Sequence, residues 1–483
     1  MSTTETTIAL TGNVFIAQPV RRLRNERFLK MVEFLRDCDV TLTNLECSIP
    51  DPETPPAYVA GSGWGATYMV GTTDMIDDLQ FMGIDGVCAA NNHVSDFGDP
   101  GVMSTIRQLR SKGMPYAGIG ASLTEATQAG YIESPSGLRV AFIVACDWGP
   151  RAGQGLNFPW PVGYMPSDDA PPFRPRPGVN LLRYESVSHV TAQELAQLRS
   201  ISEKLGWESD KVARRNGFGR SQPLVGLTTN IGIEHDSDDE LWFLGRKFVA
   251  SDTPGHHTVA CDEDLERLYR QIREARRQAD IVLVGLHDQS HGDGVHGYID
   301  TFAHGAIDAG ADVYFNNGGS HMGVEIYKGK AIIYGLPSLF LQTEAVLNVP
   351  TAEMARFGLS PEATAADFLD ARAQGAQRAN AEGAQYTRLL QGGRGSAVHV
   401  CVFEGTELKE IRIQPIEPMG GTFLGPEGDV PVPRFRRQLP LLPEPNSVVA
   451  ERVLAHCVDV SAEHGTVVET RDGMAVIGCN TSR

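Results

Sequence analysis

Short apolar, β-branched runs alternate with amphipathic helical patterns along most of this chain, and that rhythm narrows its fold more than any other feature. Thr7–Leu10, Val40–Asn44, Gly86–Ala89, Leu138–Ala145, Ile281–Leu286, Asp312–Phe315 and Ala331–Tyr334 read as buried strands. Between them, Phe28–Arg36, Thr73–Met82, Val102–Ser111, Asp262–Arg277 and Tyr298–Ala309 carry apolar residues at three-to-four spacing with charges opposite, as helices with one buried face do. An α/β fold with helices outside the sheet follows. Polar residues at strand ends then become the first place to look for chemistry.

Two stretches interrupt the rhythm. The segment from about Gly149 to Asn180 holds eight prolines and reads as an ordered insertion or lid, and Tyr184 to His257 reads as a second insertion, helical near Ala192–Leu205. Beyond Gln342 the sequence suggests a helix over Ala352–Gln377, a strand pair over Ala397–Phe403 and Glu407–Gln414, and a helix within Pro443–His464 followed by a short strand. Ala371–Gly395, rich in Ala, Gly, Gln and Arg, reads as solvated helix and turn.

Charge and composition exclude several function classes. With 42 Lys+Arg against 60 Asp+Glu the formal net charge is −18, which repels phosphate backbones and anionic lipid headgroups. Nucleic acid and membrane are therefore not expected as partners. No run approaches the roughly 18 apolar residues of a membrane span, and Met1–Thr7 shows no basic-then-apolar leader, so a cytoplasmic location is expected. Eight scattered cysteines without a C-x-x-C pair fit reduced thiols.

Five polar clusters follow the strands: Gly12-Asn13, Asn44-Leu45-Glu46, Asn91-Asn92-His93 with Asp96, His287-Asp288 with His291, Asp293 and His296, and Asn316-Asn317-Gly318-Gly319-Ser320-His321. Carboxylate, amide oxygen and imidazole are the donors of a hard-to-borderline divalent metal site. Convergence of these clusters at one sheet edge would make such a site.

Asn44-Leu45-Glu46, Gly83-Ile84-Asp85 running into Ala90-Asn91-Asn92-His93 and Asp96-Phe97-Gly98, then Gly118-Ile119-Gly120, closely resemble the CapA family of poly-γ-glutamate-synthesis-like proteins. Ile307-Asp308-Ala309-Gly310-Ala311-Asp312 and Val324-Glu325-Ile326-Tyr327-Lys328-Gly329-Lys330 agree in order and spacing. The resemblance implies a calcineurin-like metallophosphatase fold, two packed β-sheets flanked by helices, over residues 1–345, with insertions near 149–180 and 184–257. Residues 346–483 are expected to add a helical and β extension completing the same domain.

The resemblance also implies roles. Glu46, Asn92, His287 and His321 match metal-contacting positions, and His93 matches the imidazole that protonates the leaving group or holds substrate, with Asp96 placed to orient it. Asn13 stands where the family has its first-strand aspartate, Gln289 replaces a histidine, and Asn317 stands at the first histidine of the last loop. Asn13 and Asn317 become candidate substrate contacts. His291 and His296 are candidates for acid/base work and substrate binding respectively, or for replacement ligands. The edited donor set leads us to expect one divalent ion (Mn, Zn or Fe) and does not favour a second.

Three readings follow from the resemblance and the candidate residues. The first is hydrolysis of an amide or related carbonyl bond in a small metabolite or peptide, with His93 as general acid. The second is metal-dependent peptide epimerisation, which deuterium uptake at the α-carbon would reveal. The third is a non-catalytic assembly factor in polymer biosynthesis. A small-molecule or peptide substrate is the expected partner, and a homo-oligomer stays open because composition and spacing do not decide the oligomeric state.

Overall fold

The computed structural model describes residues 5–57, 68–148, 175–215, 236–288 apart from 245, 297–343 apart from 320, 349, 351–371, 374, 395–419, 423–425, 428–430 and 439–479. Two ten-stranded sheets carry the fold. In the first, β1 (Glu5–Phe15), β2 (Val40–Leu45), β3 (Gly86–Cys88) and β4 (Tyr116–Ala117) run parallel in that order. The second is centred on β5 (Arg139–Trp148), β6 (Leu181–Val190), β7 (Ile281–His287), β8 (Val313–Asn317), β9 (Val324–Tyr327) and β10 (Lys330–Leu336). Its spatial order is β6-β5-β7-β8-β10-β9, parallel except at the β9/β10 hairpin. Further along the chain, β11 (Ser396–Glu404), β12 (Glu407–Met419) and β13 (Met474–Gly478) extend the first sheet antiparallel from the free side of β1.

The two-residue period of a strand explains how the sheets pack. Along the second sheet, Val140, Phe142, Val144, Ile281, Leu283, Val313, Phe315, Ala331 and Ile333 share one core with β1, β2 and β3. The alternate residues Ala141, Ile143, Val282, Val284, Leu286, Tyr314, Ile332 and Tyr334 share another with helices α4 (Asp262–Arg276) and α5 (Gly297–Ala309). One face of this sheet thus meets the first sheet and the other meets helices. His287 continues the Ile281, Leu283, Gly285 row and Asn317 the Val313, Phe315 row, so both belong to the inter-sheet side.

Helices cover the first sheet too. α1 (Glu26–Arg36) is started by Asn25, whose side chain accepts from the Phe28 amide, and it buries Phe28, Met31, Val32 and Leu35 at helical spacing. α2 (Thr73–Phe81), α3 (Gly98–Ser111) and the C-terminal α6 (Val448–Ala462) contribute to the same core. Among the described residues, no helix is long and apolar enough to cross a membrane.

Two expectations change. The region 184–257 does not stand apart from the sheet: β6 pairs parallel with β5, and strands Glu240–Phe243, Arg246–Ala250 and Gly255–Ala260 build outward from it. Its alternately exposed residues, such as Arg183 and Glu185, conceal the strand because only buried runs stand out as apolar. The helix expected over 352–377 is broken into Thr351–Arg356 and 365–371, since Gly358 takes φ 72° and Pro361 cannot continue a helix. Most of the proline-rich 149–180 stretch and of 371–395 lies outside the described residues, and so do Gln289, His291, Asp293 and His296.

Candidate metal centre and acid–base pair

Parallel strands bring their C-terminal ends to one edge, and here two sheets do so face to face. Asn13 lies opposite Asn44 in the β1/β2 ladder, while His287 lies opposite both Cys146 and Asn317. Gly12 lets the sheets meet: a Cβ there would stand 2.3 Å from the Pro337 carbonyl oxygen and 2.4 Å from that of Leu336. Only glycine fits between β1 and the end of β10. Gly318 does the same for His287, because at φ 95° its missing Cβ would lie 2.6 Å from the Asp288 carbonyl oxygen and 3.2 Å from the imidazole.

Asn44, fully buried, is the hub. Its amide donates to Asn13 Oδ1 at 2.9 Å and to the Glu46 carboxylate, and it lies 3.4 Å from His287 Nδ1. On the other side of the ring, His287 Nε2 is 3.0 Å from Asn92 Oδ1 and 3.7 Å from Glu46 Oε1. Carboxylate, amide oxygen and imidazole therefore converge within hydrogen-bonding or near-contact range. Burial pushes the Glu46 carboxyl up to about 7, with the charge of His93 and the Asn44 hydrogen bond drawing it back and Asp96 adding to the rise.

The loop after β3 is fixed by its own side chains. Asn91 Oδ1 accepts from the His93 and Val94 amides at 3.0 and 3.1 Å, and its Nδ2 donates to the Leu45 carbonyl at 2.6 Å. Ser48 Oγ faces the carbonyls of His93 and Val94 at 2.8 Å each. This tethering positions His93, whose Nδ1 is 2.8 Å from Asp96 Oδ2. Asp96 is itself fully buried, and the Met69 amide donates to the same oxygen at 2.8 Å. An imidazole held at Nδ1 by a carboxylate keeps Nε2 for proton transfer.

A divalent ion fits this group of residues. Asn317 is fully buried, and its side-chain amide has no partner stronger than the Cys88 thiol beside it. A buried amide left so is costly, and a cation would satisfy its oxygen. With Glu46 as the one carboxylate among Asn13, Asn92, His287 and Asn317, the donors supply one negative charge.

His321 keeps other company. Its Nε2 is 3.9 Å from Glu463 Oε2, and its ring lies 5.7 Å from that of His464 and 6.4 Å from that of Tyr334, on the helix-covered side of the second sheet. The structure thus brings together Glu46, Asn92, His287, Asn13, His93 and Asp96, and it places His321 with α6.

Motif reading also passed over a buried polar trio. Tyr298 Oη lies 2.6 Å from Asp147 Oδ2 and 3.1 Å from Asp288 Oδ1, with Tyr184 stacked on its ring at 4.1 Å. One hydroxyl proton serves two carboxylates at the ends of β5 and β7, directly behind His287. Burial and those two acids push the phenol well above its ordinary value, so it remains a donor. Asp288 follows His287 in sequence, which was the one available signal.

Structure and site together define an α/β protein with a carboxylate–amide–imidazole centre buried between two sheets. A family model described as bacterial capsule synthesis protein PGA_cap matches residues 7–340, and the chain belongs to this CapA-like family. It is also similar to uncharacterized proteins y4sH and y4uA of Sinorhizobium fredii. Each is 29% identical over 430 residues, covering 85% of this chain and 82% of the relative. A crystal structure of a hypothetical protein from Thermus thermophilus aligns with 84% of this chain and 97% of its own at 12% identity and a TM-score of 0.35.

Proposed function

We propose that this protein is a metal-dependent hydrolase of an amide or related carbonyl bond in a small metabolite or peptide, built on a calcineurin-like metallophosphatase scaffold. The observation that carries the proposal is the buried His93–Asp96 pair, 2.8 Å apart, beside the convergence of Glu46, Asn92 and His287. Glu46, Asn92 and His287 would hold the ion, with Asn13 and Asn317 adding amide oxygens. When bound, such an ion supplies polarisation of a carbonyl and a water acidified towards a pKa of about 7.

The chain's own groups account for the remaining chemistry. Asp96 accepts from His93 Nδ1 and fixes the tautomer, and His93 Nε2 then delivers a proton to the leaving nitrogen. Asn44 orients the Glu46 carboxylate and so sets which oxygen faces the ion. Asn91 and Ser48 hold the loop that carries the acid. Phosphoester hydrolysis is less well served, because a phosphate needs two ions or several cationic groups and, among the described residues, this cluster offers one carboxylate and no lysine or arginine.

Elemental analysis of the purified full chain tests the centre. About one equivalent of Mn, Zn or Fe is assigned to this centre, so bound metal is expected to fall by one ion per chain in Glu46→Gln and His287→Ala and to stay at the wild-type level in His93→Gln. Protein that takes up no ion under any loading condition would overturn the mechanism. Hydrolysis is read by incubating the loaded protein with a panel of dipeptides and N-acyl amino acids and weighing the products.

A further inference from the structure

A second group of ligand-type side chains lies on the opposite face of the second sheet. Asp300 and His304 stand one turn apart on α5, Glu325 comes from β9, Tyr334 from β10, and His464 follows α6. Metal-ligating atoms of Asp300, His304 and Glu325 all lie within 4.8 Å of one another. We propose that Asp300, His304 and Glu325 form a zinc-type divalent site, separate from the centre between the sheets, that ties α5 to the sheet.

The imidazole geometry is the strongest support. His304 Nδ1 donates to the Asp300 carbonyl oxygen at 2.9 Å, which turns Nε2 towards Glu325 Oε1, 3.0 Å away. Histidines that bind metals commonly give their other ring proton to a backbone carbonyl in this way. Two ligands each about 2.0–2.1 Å from a tetrahedral zinc stand roughly 3.3 Å apart, so little movement is required of this pair.

The surrounding groups agree. Tyr334 Oη is 2.6 Å from Glu325 Oε2 and 3.2 Å from Asp300 Oδ1, which pins both carboxylates. His464 stacks on Tyr334 with ring centres 4.4 Å apart, feels the charges of Glu325, Asp300 and His304, and has a buried Nε2 with no hydrogen bond. Its ring covers Tyr334, the residue that holds both carboxylates. Two carboxylates and one neutral imidazole balance the charge of one divalent ion. Asp300 is exposed and leaves the ion a way in. The alternative is an ion-pair network among the same three side chains with no ion.

Zinc binding to chelator-stripped full-length protein decides between the two. Wild type, His304→Gln and Asp300→Asn are compared alone and in a His287→Ala background, with cobalt(II) absorption reporting ligand type. One zinc per chain is expected to remain in His287→Ala and to be lost when His304→Gln is added, while Tyr334→Phe weakens it about 10–100-fold. Zinc bound equally well with and without His304→Gln, or no zinc in the His287→Ala background, would overturn the site. Should His304→Gln fail to fold, the exposed Asp300→Asn is judged by the same criterion. Failure of the inter-sheet centre reads differently: His287→Ala would then leave the zinc content of the wild type unchanged.

Discussion

His93→Gln is expected to lower kcat about 10²–10⁴-fold on any amide the protein cleaves, with KM and metal content little changed. Glutamine keeps a polar group in the loop but removes a proton that can be given up near neutral pH. The loop itself should hold, because its backbone is tied through Asn91 and Ser48 and not through the imidazole ring. Asp96→Asn should fall in the same direction, since an amide there can present its NH₂ to Nδ1 and reverse the tautomer. Metal content is best compared at pH 8. Burial raises the Glu46 carboxyl and the His93 charge draws it back, so removing that charge leaves Glu46 harder to ionise in the metal-free protein. Activity within threefold of wild type in His93→Gln would take the acid role away from this residue.

How much of this was readable from residues alone varies with the physics behind each feature. The strands that position the site were legible because buried parallel strands are continuous apolar runs, and Ile281–His287 and Val313–Asn317 fall where such runs occur. The order Asn44-Leu45-Glu46 and Asn91-Asn92-His93 marked the loops that converge. Which clusters meet depends on which strands pair and how the two sheets face each other, and a local period carries neither. His321 follows the same strand as Asn317, yet after the turn at Gly318 it lies with His464 and Tyr334. Tyr298 sits among apolar residues of a helix pattern, and nothing local distinguishes it from core packing. Only the spatial meeting of Asp147 and Asp288 gives its hydroxyl a role.

His399→Leu is expected to stabilise the protein at neutral pH and to flatten its loss of stability in acid. His399 is fully buried in β11, opposite Leu10 of β1 and Ile413 of β12, and neither ring nitrogen has a hydrogen-bond partner. Burial alone holds its pKa down to about 3. An unfolded histidine titrates near 6.5, so between about pH 6.5 and 3 the unfolded chain takes up a proton that the folded chain refuses. The stability this group sustains is therefore whole above pH 6.5 and is lost as the pH falls. The slope is about 1.4 kcal/mol per pH unit, or roughly 3 kcal/mol by pH 4. Carboxylates elsewhere titrate in the same range, but they are common to both proteins and cancel in the difference. Denaturant midpoints of wild type and His399→Leu, measured from pH 8 to 4, should diverge steadily below pH 6.5. At pH 7 the variant should already lead by about 1–3 kcal/mol, the cost of burying a polar group without a partner. Parallel curves across that range would mean that the folded protein protonates His399, by opening β11 to water or by supplying the imidazole with an acceptor.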